Sequence, residues 1–227
     1  MTFTEPLPEL FTRSKIMILD FSEIPKNTPA AENIQLFFAD CEAHGQNPRL
    51  PKNRQQFNNR MLTETGERYL VSRYAEDRSA MLTGSQIAKE GRTLHMGIDI
   101  FSKDLEPVSA PCDGDIVRVG FEDEAHSYGH YLILKPADFQ GVYIFMGHLS
   151  KELPEHGPVK AGQHIATLGG FEHNENGGWS RHLHLQFIRE LPSEGQTPIG
   201  YSSRAAFPEN SQRFPNPFDF LPEWQPR

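Results

Sequence analysis

The stretch GWSRHLHLQF, residues 178–187, alternates polar and apolar side chains over its second half. Successive side chains of a β-strand point to opposite faces, so the two leucines and the phenylalanine can pack into a core. His182, His184 and Gln186 then share the other face, where the strand holds the two imidazoles as a rigid pair. The stretch therefore predicts a strand with one core face and one face that carries chemistry.

A second motif, HMGID at residues 95–99, lies far upstream in another predicted strand. It contributes the imidazole of His95 and the carboxylate of Asp99. Two histidines and one aspartate from separated strands form a three-ligand zinc set with an open fourth position. This composition is typical of a catalytic zinc site, because closed structural sites usually include cysteine ligands. We therefore expect Zn²⁺ as the cofactor.

The bulk composition narrows the class of protein. With 227 residues, the chain can bury a core without disulfides or a metal to hold it together. Its net charge of −8 gives no support for nucleic acid or an anionic membrane as a partner. Cys41 and Cys112 have no CxxC spacing, so we expect free thiols and a reducing compartment.

The start of the chain and its hydropathy bear on location. The first fifteen residues, MTFTEPLPELFTRSK, contain Glu and Pro where a signal peptide needs an apolar segment. No apolar run approaches the length of a membrane span. The sequence as written therefore predicts a cytoplasmic protein, and a periplasmic or secreted one only if the chain has been trimmed. Nothing in it predicts an oligomeric state.

Residues 1–90 are predicted to form an N-terminal extension with one or two helices. A strand is expected at 15–20, and a helix from Asn27 or Thr28 to about His44. Residues 46–60 are expected to be a loop that leads into a second short helix, followed by a strand at 69–74. A family resemblance carried by the later motifs permits this extension to pack on or cover the cleft.

From about residue 91 to 190 the chain consists of short apolar segments separated by Gly, Pro and Asp. Strands are predicted at 93–101, 115–121, 131–135, 142–146, 164–168 and 182–188. Residues 191–227 are rich in Pro and Phe without clear periodicity, and are predicted to wrap this domain. The fold class is therefore mainly β, with a small α/β N-terminal part and a curved antiparallel sheet or sandwich.

Taken together, these motifs resemble the lysostaphin/LytM-type zinc metalloendopeptidases. Members of that family have an H-x-G-x-D strand, a later Y-x-H-L strand end, and an H-L-H near the close of the domain. The matching segments here, in the same order, are HMGID at 95–99, MGHL at 146–149 and HLH at 182–184. The segments APCDGDIV at 110–117 and VKAGQHIATLG at 159–169 resemble two further family motifs, and the resemblance covers about 92–190.

The resemblance implies a fold of the LytM type, which is a duplicated hybrid motif. It makes His95, Asp99 and His184 the zinc ligands, and it makes His148 and His182 the catalytic groups outside the ligand set. It implies an endopeptidase that hydrolyses peptide cross-links, of the peptidoglycan type, by means of a metal-activated water. At this stage either His148 or His182 can be the general base.

Three departures from the family pattern concern the substrate rather than the metal. His130 follows Tyr128-Gly129 where the family often has Asn, Arg181 precedes the His pair where a small residue or Pro is common, and Leu185-Gln186 replaces the usual Phe-Glu. His130 and Arg181 are therefore candidate substrate-groove residues, as is Trp179, because aromatic side chains are favoured at binding sites. A turn between His126 and His130 is favoured over a second metal site.

Other interpretations compete with a cell-wall peptidase. One is a non-peptidase binding or regulatory module of the same fold, and another is a hydrolase that acts on a substrate outside the cell wall. The segment NGGW at 176–179, together with the His pair, resembles the corresponding segment of family members that are fused to aminotransferase and kinase-like domains. This resemblance weakens the cell-wall assignment. A lipoyl-type carrier would need an exposed lysine at a hairpin tip, and no lysine has that context.

Overall fold

The computed structural model describes residues 30–124, 126–138 and 141–220, and for residues 30–35, 173 and 174 it describes the backbone alone. The strand predicted at 15–20 and the end of the C-terminal tail lie outside the described residues. Within them, the helices are α1 (Ala30–Ala43), α2 (Pro51–Thr65), α3 (Ser79–Leu82), α4 (Gln86–Lys89), α5 (His173–Asn176) and α6 (Phe207–Arg213). A 3₁₀ turn spans Pro217–Asp219.

Except for the short strand β1, the described strands lie between residues 92 and 203. The strands are β1 (Leu70–Val71), β2 (Arg92–His95), β3 (Ile98–Phe101), β4 (Pro107–Ser109), β5 (Gly114–Glu122), β6 (Gly129–Pro136), β7 (Tyr143–Leu149), β8 (Gly157–Val159), β9 (His164–Thr167), β10 (His182–Ile188) and β11 (Tyr201–Ser203). The predicted β10 segment is confirmed to the residue, whereas the other strand ends shift by a few positions.

One seven-stranded sheet organises the domain, in the order β1-β3-β10-β7-β6-β5-β8. Every neighbouring pair in it is antiparallel. Two small two-stranded sheets, β11-β2 and β4-β9, complete the described strands. The predicted fold class, mainly β with antiparallel strands and a small helical N-terminal part, is confirmed. Strand β10 lies inside the large sheet, between β3 and β7, where both of its edges are hydrogen-bonded.

The core face of β10 is as predicted. Leu183, Leu185 and Phe187 are at most 2% exposed and belong to a large apolar cluster with residues of β3, β5, β6, β7 and β9. A second apolar cluster on the opposite side of the sheet includes Phe145 and Met96. Because the sheet is covered on both sides, the polar side chains of β10 lie in a buried cleft rather than on an open surface.

The prediction of one continuous strand at 93–101 is wrong. The chain breaks at Met96 and Gly97, so that β2 pairs with β11 while β3 pairs with β10. Gly97 packs directly on the imidazole of His184, and a Cβ atom there would lie 2.6 Å from the ring carbon Cε1. The break therefore lets the backbone approach the ring closely, and it sends His95 and Asp99 into the cleft from two different strands.

The N-terminal extension contributes more helix and less strand than predicted. The helix predicted to end near His44 is α1, and the second helix, α2, runs over Pro51–Thr65 and ends at Gly66 in a left-handed conformation. The strand predicted at 69–74 is only two residues long. Just beyond it, the Ser72 amide donates to the Asp99 carbonyl at 2.8 Å, and the Asp99 amide donates to the Ser72 hydroxyl at 2.7 Å.

The C-terminal tail is partly regular, although its sequence has no clear periodicity. It supplies β11, which completes the small sheet with β2, and the helix α6. Phe214, Phe218 and Phe220 are each at most 5% exposed and pack into the two apolar clusters. None of the helices in the described part of the chain combines the length and the apolar character that crossing a membrane requires.

Candidate metal centre

Three side-chain atoms converge where β2, β3 and β10 meet. Nε2 of His95 lies 3.0 Å from Nδ1 of His184, and Oδ1 of Asp99 lies 3.1 Å from the same Nδ1. Nε2 of His95 and Oδ1 of Asp99 are 3.5 Å apart. All three side chains are buried, and among the described residues they form the one group of three potential ligands close enough to hold a metal ion.

Strand register explains why these residues meet. His184 is directly opposite Asp99 in the antiparallel β3–β10 pair, so their side chains leave the same face of the sheet. On the other edge of β10, His184 pairs with Gly147 of β7, which precedes His148 in the chain. The sheet thus places the aspartate, the His pair and the histidine of the third motif around a single point.

Asp99 is held as an anion by a buried arginine. Nη1 of Arg78 lies 2.6 Å from Oδ2 of Asp99, and Nε of Arg78 donates to Oε1 of Glu76 at 3.1 Å. Burial alone would raise the pKa of Asp99, but the guanidinium, together with the neighbouring imidazoles, holds that pKa well below its usual range. Oδ2 is therefore engaged by Arg78, whereas Oδ1 stays directed at the two histidines.

The tautomer of His184 is fixed by Gln186. The Gln186 side-chain NH₂ donates to the carbonyl of Ile199 at 3.1 Å, so its oxygen is the group that faces His184 Nε2, 3.0 Å away. That oxygen must accept the Nε2 proton, which leaves the lone pair of Nδ1 directed at Asp99. The hydroxyl of Tyr128 donates to the same amide oxygen at 3.3 Å.

His182 and His148 have their tautomers set in the same way, each by a backbone carbonyl. Nδ1 of His182 lies 2.7 Å from the carbonyl oxygen of Ser180, and Nδ1 of His148 lies 2.8 Å from that of Asn176. Each Nδ1–H donates, so each Nε2 is an acceptor. Nε2 of His182 is 3.7 Å from Oδ1 of Asp99, and the rings of His148 and His182 have their centroids 4.3 Å apart.

The local backbone holds His148 in an uncommon conformation. Its φ angle is +64°, a left-handed value that side chains other than glycine adopt at a cost in energy. The His148 amide donates to the Tyr128 carbonyl at 2.8 Å, and the His148 carbonyl accepts from Gly169 at 2.9 Å. Asn176, whose carbonyl binds the His148 ring, is fully buried, and its side-chain oxygen accepts the amides of Gly178 and Trp179. The left-handed backbone of His148 and the bond to Asn176 together direct the ring of His148 into the cleft.

A divalent cation fits the three converging atoms. Zinc ligands lie about 2.0–2.2 Å from the ion, so tetrahedral ligand atoms are roughly 3.4 Å apart. The separations of 3.0, 3.1 and 3.5 Å match that geometry. In addition, the His184 tautomer makes Nδ1 and the facing Asp99 Oδ1 both acceptors, and two acceptors at 3.1 Å repel each other unless a cation lies beside them. His95, Asp99 and His184 therefore present the donor set expected of a metal site.

The centre opens into a cavity of about 1010 Å³. Among the predicted groove residues, Trp179 lines this cavity and donates from its indole Nε1 to the Ser127 carbonyl at 3.1 Å. His130 and Arg181 do not line it. His130 stacks on Phe121, with ring centroids 4.3 Å apart, and the Arg181 side chain donates to the Lys103 carbonyl at 2.7 Å.

Sequence reasoning missed the groups that surround the ligands. Arg78 and Glu76 precede the motifs and are not predicted from them, yet both side chains are buried and Arg78 pairs with Asp99. Tyr128 was read as part of a turn, yet its ring lies 5.0 Å from that of His184. The one available signal was the closely spaced Glu76, Asp77 and Arg78, since neighbouring opposite charges are able to pair when buried.

Removing the Gln186 acceptor is expected to weaken metal binding. In Gln186→Leu the Nε2 proton of His184 loses its partner, so the ring is no longer held in the ligand tautomer. Loss of such a supporting hydrogen bond typically lowers metal affinity by about 10–100-fold. Competition with a chromogenic chelator measures the affinity, and Gln196→Leu, at an exposed glutamine, is the matched control. Equal affinities for the two variants would contradict the role given to Gln186.

Acid is expected to destabilise the metal-free protein. Burial lowers the pKa values of His95, His148 and His182, with Arg78 or a neighbouring imidazole adding to the effect. The unfolded chain, whose histidine pKa values are about 6.5, then binds more protons than the folded one, so stability is lost as the pH falls below about 6.5. Scanning calorimetry should show a midpoint lower by about 5–10 °C at pH 5.5 than at pH 7.5.

The control for that experiment separates these buried rings from surface histidines. His148→Gln is expected to reduce the pH dependence of the midpoint, and His44→Gln, at a side chain that is 62% exposed, is the control. An identical pH dependence in both variants would show that the buried imidazoles are not its source.

Residues 93–197 match the sequence profile described as peptidase family M23. A Haemophilus influenzae protein named "Uncharacterized metalloprotease" is 32% identical over 143 residues, which are 59% of this chain and 28% of the relative. The matched region therefore spans less than a third of that relative's length.

Two solved structures are also similar. The catalytic domain of the antimicrobial peptidase lysostaphin from Staphylococcus simulans is 25% identical, with a TM-score of 0.37, and the match covers 52% of this chain and 80% of that one. A zinc-containing peptidase from Vibrio cholerae is 28% identical, with a TM-score of 0.35, and that match covers 42% of this chain and 27% of the other.

Proposed function

Residues 93–197 belong to peptidase family M23, and from this premise we propose that the chain is a zinc-dependent endopeptidase. Its substrates are peptide cross-links of the peptidoglycan type, or a related peptide outside the cell wall. The observation that carries the proposal is the convergence of His95 Nε2, Asp99 Oδ1 and His184 Nδ1 beside two further imidazoles. These groups comprise a ligand set and separate proton-transfer groups, which a metallopeptidase needs.

The three ligand atoms would hold the zinc ion, which supplies an activated water and polarises the carbonyl of the scissile peptide bond. His95 and His184 bind through neutral nitrogens and Asp99 through one anionic oxygen. Arg78 keeps the other carboxylate oxygen engaged, so the aspartate cannot rotate away without breaking a 2.6 Å contact. This pairing favours a preorganised site over one that must assemble on binding.

His182 and His148 are suited to proton transfer. Burial lowers the pKa of each ring, so both are neutral at pH 7 with Nε2 free to accept a proton. One ring takes the proton of the attacking water and later donates it to the leaving amine. The other, at a ring separation of 4.3 Å, would donate a hydrogen bond to the substrate oxygen on which negative charge develops once its Nε2 carries a proton, because the neutral ring with Nδ1–H has no hydrogen on Nε2. Both residues remain candidates for the general base.

The test is hydrolysis by the full chain loaded with zinc. Purified peptidoglycan and short glycine-containing peptides are incubated with the protein, and newly formed amino groups are identified by mass spectrometry. We expect cleavage that stops on addition of a chelator and returns with zinc. A zinc-loaded protein that cleaves neither class of substrate would refute the peptidase, and cleavage of the synthetic peptides alone would place the substrate outside the cell wall.

A further inference from the structure

A second buried arginine lies in the cavity with N–H groups that are not hydrogen-bonded. Arg54, on α2, lines the cavity and is only 8% exposed. Its Nε and Nη1 atoms have no hydrogen-bond partner, and in the part of the chain that the structure describes the guanidinium makes no ion pair. Burying a charged group without a partner costs free energy, so native proteins rarely leave one in this state.

The position of Arg54 is fixed by its neighbours. The adjacent Gln55 donates to the Ser102 carbonyl and accepts the amide of Arg181, both at 2.8 Å, which anchors α2 on the domain. The guanidinium lies over the rings of Phe37 and Phe101, 4.7 and 5.5 Å from their centroids. Aromatic faces stabilise a cation but supply no hydrogen-bond acceptor in the plane of the guanidinium.

The surrounding charges also leave room for an anion. Arg78 already pairs with both nearby carboxylates, those of Glu76 and Asp99. Burial, followed by the repulsion of Arg78, lowers the pKa of Arg54 to about 10, so it is still charged at pH 7. The two guanidinium groups balance the two carboxylates, and a bound divalent cation therefore leaves the cluster with a net positive charge.

We propose that Arg54 is a carboxylate-binding subsite, and that the preferred peptide carries an anionic carboxylate close to the scissile bond. This inference rests on the proposed function, because it assigns a substrate class to the same cavity. A planar guanidinium matches a carboxylate better than it matches a neutral amide, and such charge-assisted hydrogen bonds are roughly twice as strong as neutral ones.

The distance of the subsite from the reacting centre limits where the carboxylate lies in the peptide. The ring of Phe101 that stacks under Arg54 also stacks on His182, with ring centroids 5.0 Å apart. The guanidinium and the catalytic imidazole therefore contact the same aromatic ring. An extended peptide advances roughly 3.4 Å per residue, so the carboxylate belongs to a residue within about three positions of the scissile bond.

The experiment compares matched acid and amide peptides on the zinc-loaded full chain. One pair is acetyl-tetraglycine with a free C-terminal carboxylate and its C-terminal amide. The other pairs are acetyl-tetraglycine amides in which one glycine is replaced by Glu or by Gln. Binding is measured by isothermal titration calorimetry and cleavage by mass spectrometry. The first pair tests a terminal carboxylate and the others a side-chain carboxylate, so the result distinguishes the two sources.

Arg54→Met is the diagnostic variant, since methionine keeps the contact with the aromatic rings and removes the charge. We expect the wild type to bind at least one acid about tenfold more tightly than its amide, and the ratio to fall below about twofold in Arg54→Met. Arg60→Met, at a more exposed arginine on the same helix, should keep the wild-type ratio. The proposal would be overturned if the wild type bound the acid and the amide equally well. It would also be overturned if the preference for the acid persisted in Arg54→Met, because the metal ion would then be the group that binds the carboxylate.

Further readouts guard against a folding defect and against a failure of the proposed function. The Arg54→Met midpoint should equal or exceed that of the wild type, because a buried cation with unpaired N–H groups is removed. If Arg54→Met does not fold, Arg54→Lys replaces it as the diagnostic variant. The subsite predicts that Arg54→Lys binds the acid peptide more weakly than the wild type does and binds the amide peptide equally well. An equal loss of affinity for both peptides would refute the subsite. Binding of the acid peptide that depends on Arg54, without cleavage, would refute the proposed peptidase activity but not the subsite. Cleavage without a preference for the acid peptide would refute the subsite but not the peptidase activity.

Discussion

His184→Ala is expected to lose its bound metal and, with it, all measurable peptidase activity. His184 contributes the ligand atom that is closest to both other ligands, at 3.0 Å from His95 and 3.1 Å from Asp99. Metal-binding free energies of roughly 10–16 kcal/mol are shared among only a few ligands, so loss of one should lower the affinity by about three orders of magnitude. Atomic emission spectrometry of the purified variant, after dialysis against a weak chelator, measures the metal directly.

The matched control for that variant is His156→Ala, which removes an exposed imidazole outside the cavity. This control should retain one metal ion per chain and full activity. Stoichiometric metal in His184→Ala would mean that the ion binds elsewhere, and the metal centre described above would then be incorrectly assigned.

His182→Ala is expected to keep its metal while losing activity by about two to four orders of magnitude. The ring is not among the three converging ligands, which are His95, Asp99 and His184, and its Nδ1 donates to the Ser180 carbonyl. Positioned general acid–base groups typically contribute about 10²–10⁴-fold to a rate. The effect should fall on kcat, measured by cleavage of a glycine-containing peptide, with metal content unchanged.

His148→Ala should behave in the same way, and the double variant should be little worse than either single one, because residues that act as a unit are not additive. His130→Ala provides the control, since that imidazole stacks on Phe121 away from the cavity and should leave kcat nearly unchanged. Activity within about threefold of the wild type in both His148→Ala and His182→Ala would exclude them as proton-transfer groups.

The strand and its two histidines were predictable because both signals are local. Alternation over His182–Ile188 gave the exact limits of β10, and the three motifs in order identified the family, which the profile match over residues 93–197 confirms. The pairing of Asp99 with His184 then needs only an antiparallel register between the two motif strands. Such patterns require no knowledge of the rest of the fold.

The remaining features depend on contacts between distant segments. The break at Gly97 arises because the backbone passes directly over His184, which no local propensity indicates. Arg54 and Arg78 reach the cleft from a segment outside the family match, and β11 joins β2 from the C-terminal tail. In each case the position is set by packing between segments, and a single sequence carries no periodic signal for it.

Two of the three predicted groove residues, His130 and Arg181, do not line the cavity. His130 and Arg181 were chosen because they depart from the family pattern beside the motifs, yet a strand neighbour of a site residue can point to the opposite face. The structure turns both away from the cavity and leaves Trp179 as the one groove candidate among the three that lines it.

The most direct measurement is an anomalous-scattering crystal structure of the full chain grown with zinc, with data collected on both sides of the zinc absorption edge. We predict a single strong peak within about 2.0–2.2 Å of His95 Nε2, Asp99 Oδ1 and His184 Nδ1, with Gln186 still bonded to His184. No peak at that point, or a peak bound by other side chains with Asp99 directed away from His184, would contradict the metal centre and the hydrolysis derived from it.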